Sequence, residues 1–216
     1  MGAIARSAAN LITTSGVVLK GAVNNDSFDN VTALPSSFGD GITLISSQTA
    51  SNSASISFTS GLTSTYKAYK FVFANIHPIN DDINFQFNMS TDSGSNYNVT
   101  KTTTHFNTNH TEADATGFGY DVNADLAQST AFQVLAYNVG NASDESTAGS
   151  LILFNPSSTT YVKHFITNIN CYEYNNGTRN LYTAGYANTT SAVNAIRFQF
   201  SSGNIDAGTI YMYGIK

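Results

Sequence analysis

The sequence predicts an all-β protein: an antiparallel β-sandwich of jelly-roll type carried behind an extended N-terminal arm. Three observations lead there. Bulky and polar residues alternate with period 2 in short runs, clusters of Gly, Asn, Asp and Ser separate those runs, and amphipathic stretches of helix length are nearly absent. The 216 residues include 14 Phe, 12 Tyr and no Trp, and hydrophobic residues make up 41%. That is enough apolar surface for one core, which a disordered chain lacks.

Residues 1–41 differ in kind from the rest. The apolar residues Val17, Val18, Leu19, Phe28, Val31 and Leu34 stand isolated among Asn24-Asn25-Asp26 and Pro35-Ser36-Ser37, with neither a helical nor a strand period. A segment that cannot bury enough apolar surface to offset its ordering entropy is expected to be ordered by a partner. Residues 1–41 are therefore read as an anchoring arm, and residues 42–216 as the jelly-roll domain.

Strand patterning begins after Gly41. Ser55–Thr59 and Asn84–Asn88 alternate cleanly, and Tyr69–Phe73, Phe132–Tyr137, Leu151–Phe154, Tyr161–Ile166, Ala195–Phe200 and Ile210–Ile215 combine aromatic with β-branched residues. Asn123–Gln128 has room for a single turn. Eight to ten short strands fit a jelly roll, and the lack of Trp removes the Cys…Trp…Cys core of an immunoglobulin domain. No repeat of solenoid or propeller period occurs.

Charge excludes several function classes. Charged residues are only 11% of the chain, with 9 Lys and Arg against 14 Asp and Glu and a net charge of −5; about 25% is usual. The cations are scattered, which argues against binding nucleic acid. No apolar run approaches the roughly 20 residues that span a bilayer, so no membrane partner is expected. The opening Met1–Arg6 lacks a signal-peptide core, and Arg6 stands where myristoylation needs Ser or Thr. Cys171 is the single cysteine, so neither a disulfide framework nor a thiolate zinc site is expected. The short neutral polars, 25 Asn, 25 Ser and 26 Thr, point instead to an uncharged surface whose contacts depend weakly on salt.

The chemistry-bearing residues form no reactive constellation. Ser90-Thr91-Asp92-Ser93-Gly94-Ser95-Asn96-Tyr97 has the spacing S-x-D-x-G-x-x-aromatic, similar to the Asp-box hairpin of sialidases and other β proteins. There a carboxylate binds backbone N–H groups, a glycine takes positive φ and an aromatic packs under the turn; the expectation is a hairpin staple. Calcium loops need several carboxylates at alternating positions, and only Asp92 is charged here. His105, His110, Glu112 and Asp114 are the best metal candidates, but histidines five apart fall on opposite faces of a strand, so they are read as surface-loop residues and no metal or cofactor is expected. His164 is read as a hydrogen-bonded sheet histidine. Without a G-x-S-x-G elbow or framed carboxylate pairs, the chain is not expected to be an enzyme. The N-x-[ST] sequons follow from the composition. Tyr172, Tyr174, Tyr182 and Tyr186 cluster in sequence around Asn175-Asn176-Gly177-Thr178 and are the candidate contacts to a glycan or a protein partner.

Three stretches together carry a resemblance: Ser90–Asn98; Leu153-Phe154-Asn155-Pro156-Ser157-Ser158-Thr159-Thr160-Tyr161-Val162-Lys163-His164-Phe165; and Ala184-Gly185-Tyr186 through Ser201-Ser202-Gly203-Asn204-Ile205-Asp206-Ala207-Gly208-Thr209 to Tyr213-Gly214-Ile215-Lys216. The combination resembles virion structural proteins of marine tailed bacteriophages, particularly those infecting cyanobacteria, over about residues 40–216. The resemblance implies no catalytic residues. It implies a capsid decoration or head-protrusion subunit on the virion surface, assembled in the host cytoplasm and docked by its arm on the major capsid protein or another virion protein. The alternative is a tail-fibre or receptor-binding subunit touching host surface glycans. Homo-oligomers, trimers among them, are compatible with either.

Overall fold

The computed structural model describes residues 41–216, and the arm residues Val17, Val18, Leu19, Phe28, Val31 and Leu34 lie outside the described residues. The described chain contains strands and turns and no helix. In order these are β1 (Ile42–Thr49), β2 (Ile56–Phe58), β3 (Ala68–Pro78), β4 (Ile83–Ser90), β5 (Lys101–Thr111) and β6 (Thr116–Tyr120). They continue as β7 (Gln133–Val139), β8 (Thr147–Phe154), β9 (Lys163–Glu173), β10 (Gly177–Ala187), β11 (Ala195–Phe200) and β12 (Ile205–Ile215). Every pairing is antiparallel.

The pairings fall into two sets. One runs β1-β12-β3-β8-β9-β10-β5-β6 and the other β2-β11-β4-β7. The pair Val139–Glu173 joins β7 to β9, and a bridge between Ser53 and Ile205 joins the segment before β2 to β12. The sheet is thereby nearly closed on itself, in a barrel-like form. Leaving out the hairpins β5–β6 and β9–β10, eight strands remain. They pair first with last (β1 with β12), second with seventh (β2 with β11), third with sixth (β3 with β8) and fourth with fifth (β4 with β7). The two hairpins extend the larger set beyond β8.

Aromatic rings hold the two sets together. Phe71 of β3 meets Phe58 of β2 at 5.4 Å, and Phe73 meets Phe85 of β4 at 5.3 Å and Phe198 of β11 at 5.1 Å. Farther along, Phe87 of β4 lies edge-on to Phe165 of β9 at 5.1 Å. These rings are essentially buried; each contributes about 1.5–3 kcal/mol by burial, with a further increment from edge-to-face geometry. Period 2 in the sequence puts them there, because alternate residues of each strand face inward.

β1, β5, β6 and β10 are strands that the apolar alternation does not announce. In β5 the inward positions are Lys101, Thr103, His105 and Asn107, all buried. Both of its faces are therefore largely polar, and the usual contrast between them is lost.

Candidate functional site

The strands β9, β10, β5 and β6 have two chemically distinct faces. The inner one carries a buried polar network. Arg179 of β10 donates through Nε to Glu173 Oε1 at 2.6 Å, and through Nη1 to Asn107 Oδ1 at 2.7 Å and Tyr137 Oη at 2.8 Å. Its guanidinium also lies 4.6 Å from the centre of the Tyr137 ring. Burial holds the Tyr137 hydroxyl up at about 12. His105 Nδ1 is 2.9 Å from Thr183 Oγ1, while His105 Nε2 and Glu173 Oε2 are buried without a partner. Burial pushes the His105 pKa below its ordinary 6.5, which keeps the ring neutral at pH 7. This network orders the sheet from within.

The outer face is open. Its outward positions on β5, β6, β8, β9 and β10 carry Thr, Asn, Ser, Ala, His, Ile, Phe and Tyr, and no Asp, Glu, Lys or Arg. A groove of about 370 Å³ is lined there by Phe106, Ile152, Ile166, Asn168 and Tyr182 among others. Phe106 and Tyr182, paired across β5 and β10, stack in parallel at 4.9 Å and 13°. Phe118 of β6 packs against Phe106 at 6.1 Å and is 81% exposed. Asn180 Nδ2 donates to Tyr182 Oη at 2.8 Å, which fixes the ring against its neighbour. Flat rings, amides and hydroxyls on a firm sheet can bind; nothing lining the groove is poised to transfer a proton.

Three of the four candidate tyrosines share this face. Tyr182 sits in the groove. Tyr186 lies four residues along β10, edge-on to His164 at 6.2 Å, and Tyr172 lies opposite Thr178 on β9. Four strand residues span about 13 Å, so these tyrosines form a row, not one cluster. Tyr172 Oη donates to Glu112 Oε1 at 3.2 Å. Tyr174 falls beyond the end of β9, in the turn before β10, and is exposed. Sequence reasoning missed Phe106, Phe118, Tyr120, Ile152 and Ile166. Its available signal was aromatic residues alternating with Thr, Asn and Gly in β5 and β6.

The remaining motifs resolve locally. His105 is a correction: it is a fully buried strand residue, not a surface-loop one. His110 lies on the opposite face and pairs with Asp114 at 3.0 Å. Among the described residues no three His, Cys, Asp or Glu side chains are placed to hold a metal ion. A second groove of about 620 Å³, touched by His110, Glu112, Asp114 and Tyr172, lies beside that pair. His164 is exposed on the outer face, so the reading of a hydrogen-bonded sheet histidine gives way to a ring contact with Tyr186. In the Ser90–Tyr97 turn, Asp92 accepts from Ser90 Oγ at 2.6 Å, from the Asn96 backbone N–H at 2.8 Å and from Asn96 Nδ2 at 2.7 Å. Gly94 has φ +90° and Tyr97 stacks under the Arg197 guanidinium at 4.0 Å. This is the staple geometry that the motif implies.

No known family model matches this sequence, and no curated protein is significantly similar to it.

Proposed function

We propose that this chain is a non-enzymatic structural subunit of a tailed-bacteriophage particle: a capsid decoration or head-protrusion subunit, anchored through residues 1–41 to the major capsid protein or another virion protein. The observation that carries this reading is the outer face of β5, β6, β8, β9 and β10, a broad aromatic and amide surface whose outward strand positions hold no carboxylate or cation, suited to contact and not to reaction. The jelly-roll assignment supports it. Pairing first with last, second with seventh, third with sixth and fourth with fifth is what a rolled-up long hairpin produces, with β5–β6 and β9–β10 as insertions. The resemblance of residues 40–216 to marine phage virion proteins supplies the particle.

A second reading, a tail-fibre or receptor-binding subunit, is favoured by the Phe106–Tyr182 stack beside Asn168, because a pyranose ring stacks on aromatics while amides bind its hydroxyls. Localising the chain on purified particles by cryo-electron microscopy tests both. Copies at icosahedral positions on the head support the first reading, copies on the tail support the second, and absence from the particle rejects both. Deleting residues 1–30 is expected to leave a folded domain that no longer attaches. Full decoration by the truncated chain would remove the anchoring role of the arm.

A further inference from the structure

The outer face of the inserted strands is broad, uncharged at its strand positions and set with exposed rings. β5, β9 and β10 are each 11 residues long. At about 3.3 Å per residue and about 4.8 Å between strands, five strands from β6 to β8 present a patch on the order of 35 by 20 Å, or roughly 700 Å² in plan. A standard stable interface takes about 800 Å² from each partner, mixing apolar and neutral polar groups as this face does. Phe118, Tyr120 and Ile166 are 81%, 55% and 47% exposed on this face.

The edge of the same face is also unprotected. β6 pairs only with β5, so its other edge has no strand partner among the described residues. Edge strands are usually blunted by Lys, Pro or a bulge; β6 reads Thr-Gly-Phe-Gly-Tyr and has none of these.

Charge selects the occupant. The chain carries a net −5, so two copies repel when they meet through acidic surface. On the five strands named above, the outward positions hold no charged residue. The carboxylates that reach the face from flanking turns, Asp125 on Tyr120, Glu112 on Tyr172 and Asp114 on His110, are each held by a hydrogen bond. Like faces can therefore meet over the strands between them without opposing like charges. We infer that a second copy of this chain packs on this face, with Phe106, Phe118, Ile152, Ile166 and Tyr182 at the contact and the free edge of β6 at its margin. The inference does not depend on the virion reading, since it concerns only what covers this sheet.

The test is the mass of the full-length chain in solution, by sedimentation or light scattering from low micromolar to hundred-micromolar concentration, for wild type, Phe118→Lys and Ile166→Lys. The expected result is self-association in wild type and a weakening of roughly a hundredfold or more in each variant, because each inserts an unpaired charge into a dry contact. Phe118 is so exposed that its substitution leaves folding intact. If a variant nevertheless unfolds, amide hydrogen exchange in wild type decides: Gly117–Tyr120 and Ile166 are expected to slow as concentration rises, and unchanged rates overturn the inference. A wild-type chain that stays monomeric throughout overturns it as well. So does an oligomer that survives both substitutions, which must then be held by another surface. A monomer whose face instead takes up oligosaccharide would hand the site to the receptor-binding reading.

Discussion

Lys101 and Lys163 flank Ala187 in a single row across the sheet. Ala187 of β10 is in register with Lys101 of β5 on one side and with Lys163 of β9 on the other, and both lysines are buried. Neither ammonium bonds to a carboxylate. Lys101 Nζ donates to Asn88 Oδ1 and to the Val99 carbonyl, each at 2.7 Å. Lys163 Nζ donates to the carbonyls of Tyr161 and Thr189, each at 3.0 Å. The lysines thus gather the loop backbone at the start of β5 and of β9, satisfying carbonyls that would otherwise be left in the interior.

Burial pushes the Lys101 pKa from its ordinary 10.5 down to about 7 and lowers that of Lys163 too. The unfolded chain keeps the Lys101 proton up to about 10.5, whereas the folded chain releases it near 7, so over that window the unfolded state binds more protons and stability rises with pH. Below about 7 both states are protonated and this contribution is flat. The urea midpoint is expected to climb between about pH 7 and about pH 9.5, with Lys101 adding at most ~1.4 kcal/mol per pH unit in stability. Lys101→Met removes most of that climb. An unchanged climb in Lys101→Met would assign it to other groups.

Arg179 and Glu173 make a buried pair whose energetics should be strongly non-additive. Arg179→Met leaves the Glu173 carboxylate, which is fully buried, without its 2.6 Å partner. Loss of about 3–5 kcal/mol is expected, because an uncompensated buried charge is far costlier than the pair is worth. The double variant Arg179→Met/Glu173→Met is expected to recover much of that loss. Chemical denaturation of the two single variants and the double variant measures the coupling, and purely additive losses would show that the pair is not energetically linked.

Cys171 is expected to be inert in the folded protein. It is fully buried on β9, and burial, aided by the neighbouring Glu173, pushes its thiol up to about 12. Alkylation requires the thiolate and access to it. Labelling by iodoacetamide should therefore proceed only through opening of the sheet and should accelerate in step with denaturant. Fast labelling under native conditions would place Cys171 in a locally mobile segment.

Most of the apolar half of the fold was legible in the sequence, because Phe71, Phe85, Phe87, Phe165 and Phe198 alternate with smaller or polar residues and all point to one core. The inserted strands were harder. Lys101, His105 and Arg179 occupy inward positions that normally hold aliphatic side chains, and Phe106, Phe118 and Ile166 occupy outward ones that normally hold polar groups. A strand with polar groups inside and rings outside inverts the pattern from which burial is read. The outer face was accordingly only partly visible, through Tyr172, Tyr182 and Tyr186. The pairing of Ala187 with two buried lysines depends on register between distant strands, which no local period encodes.

The Asp92 turn gives the remaining prediction and the one with the clearest atomic readout. Hydrogen bonds from the Ser90 hydroxyl and then from Asn96 hold the Asp92 carboxyl down at about 2, below its ordinary 3.8. The folded form therefore holds the carboxylate while the unfolded chain takes up a proton. The stabilisation is complete above about pH 4 and is lost as pH falls toward 2. Because the carboxylate is open to solvent, the effect on global stability is expected to be small and screened by salt, so the titration itself is the measurement. Followed by the Asp92 carboxyl carbon signal in NMR, Ser90→Ala should raise the midpoint toward 3.8, since it deletes the strongest donor and also the acceptor for the Gly94 N–H at 2.9 Å. Asn96→Ala should raise it less, because the backbone N–H of residue 96 still donates. If Ser90→Ala leaves the midpoint near 2, the carboxylate is held by Asn96 and the turn backbone, and the serine of the motif serves only to fix Gly94.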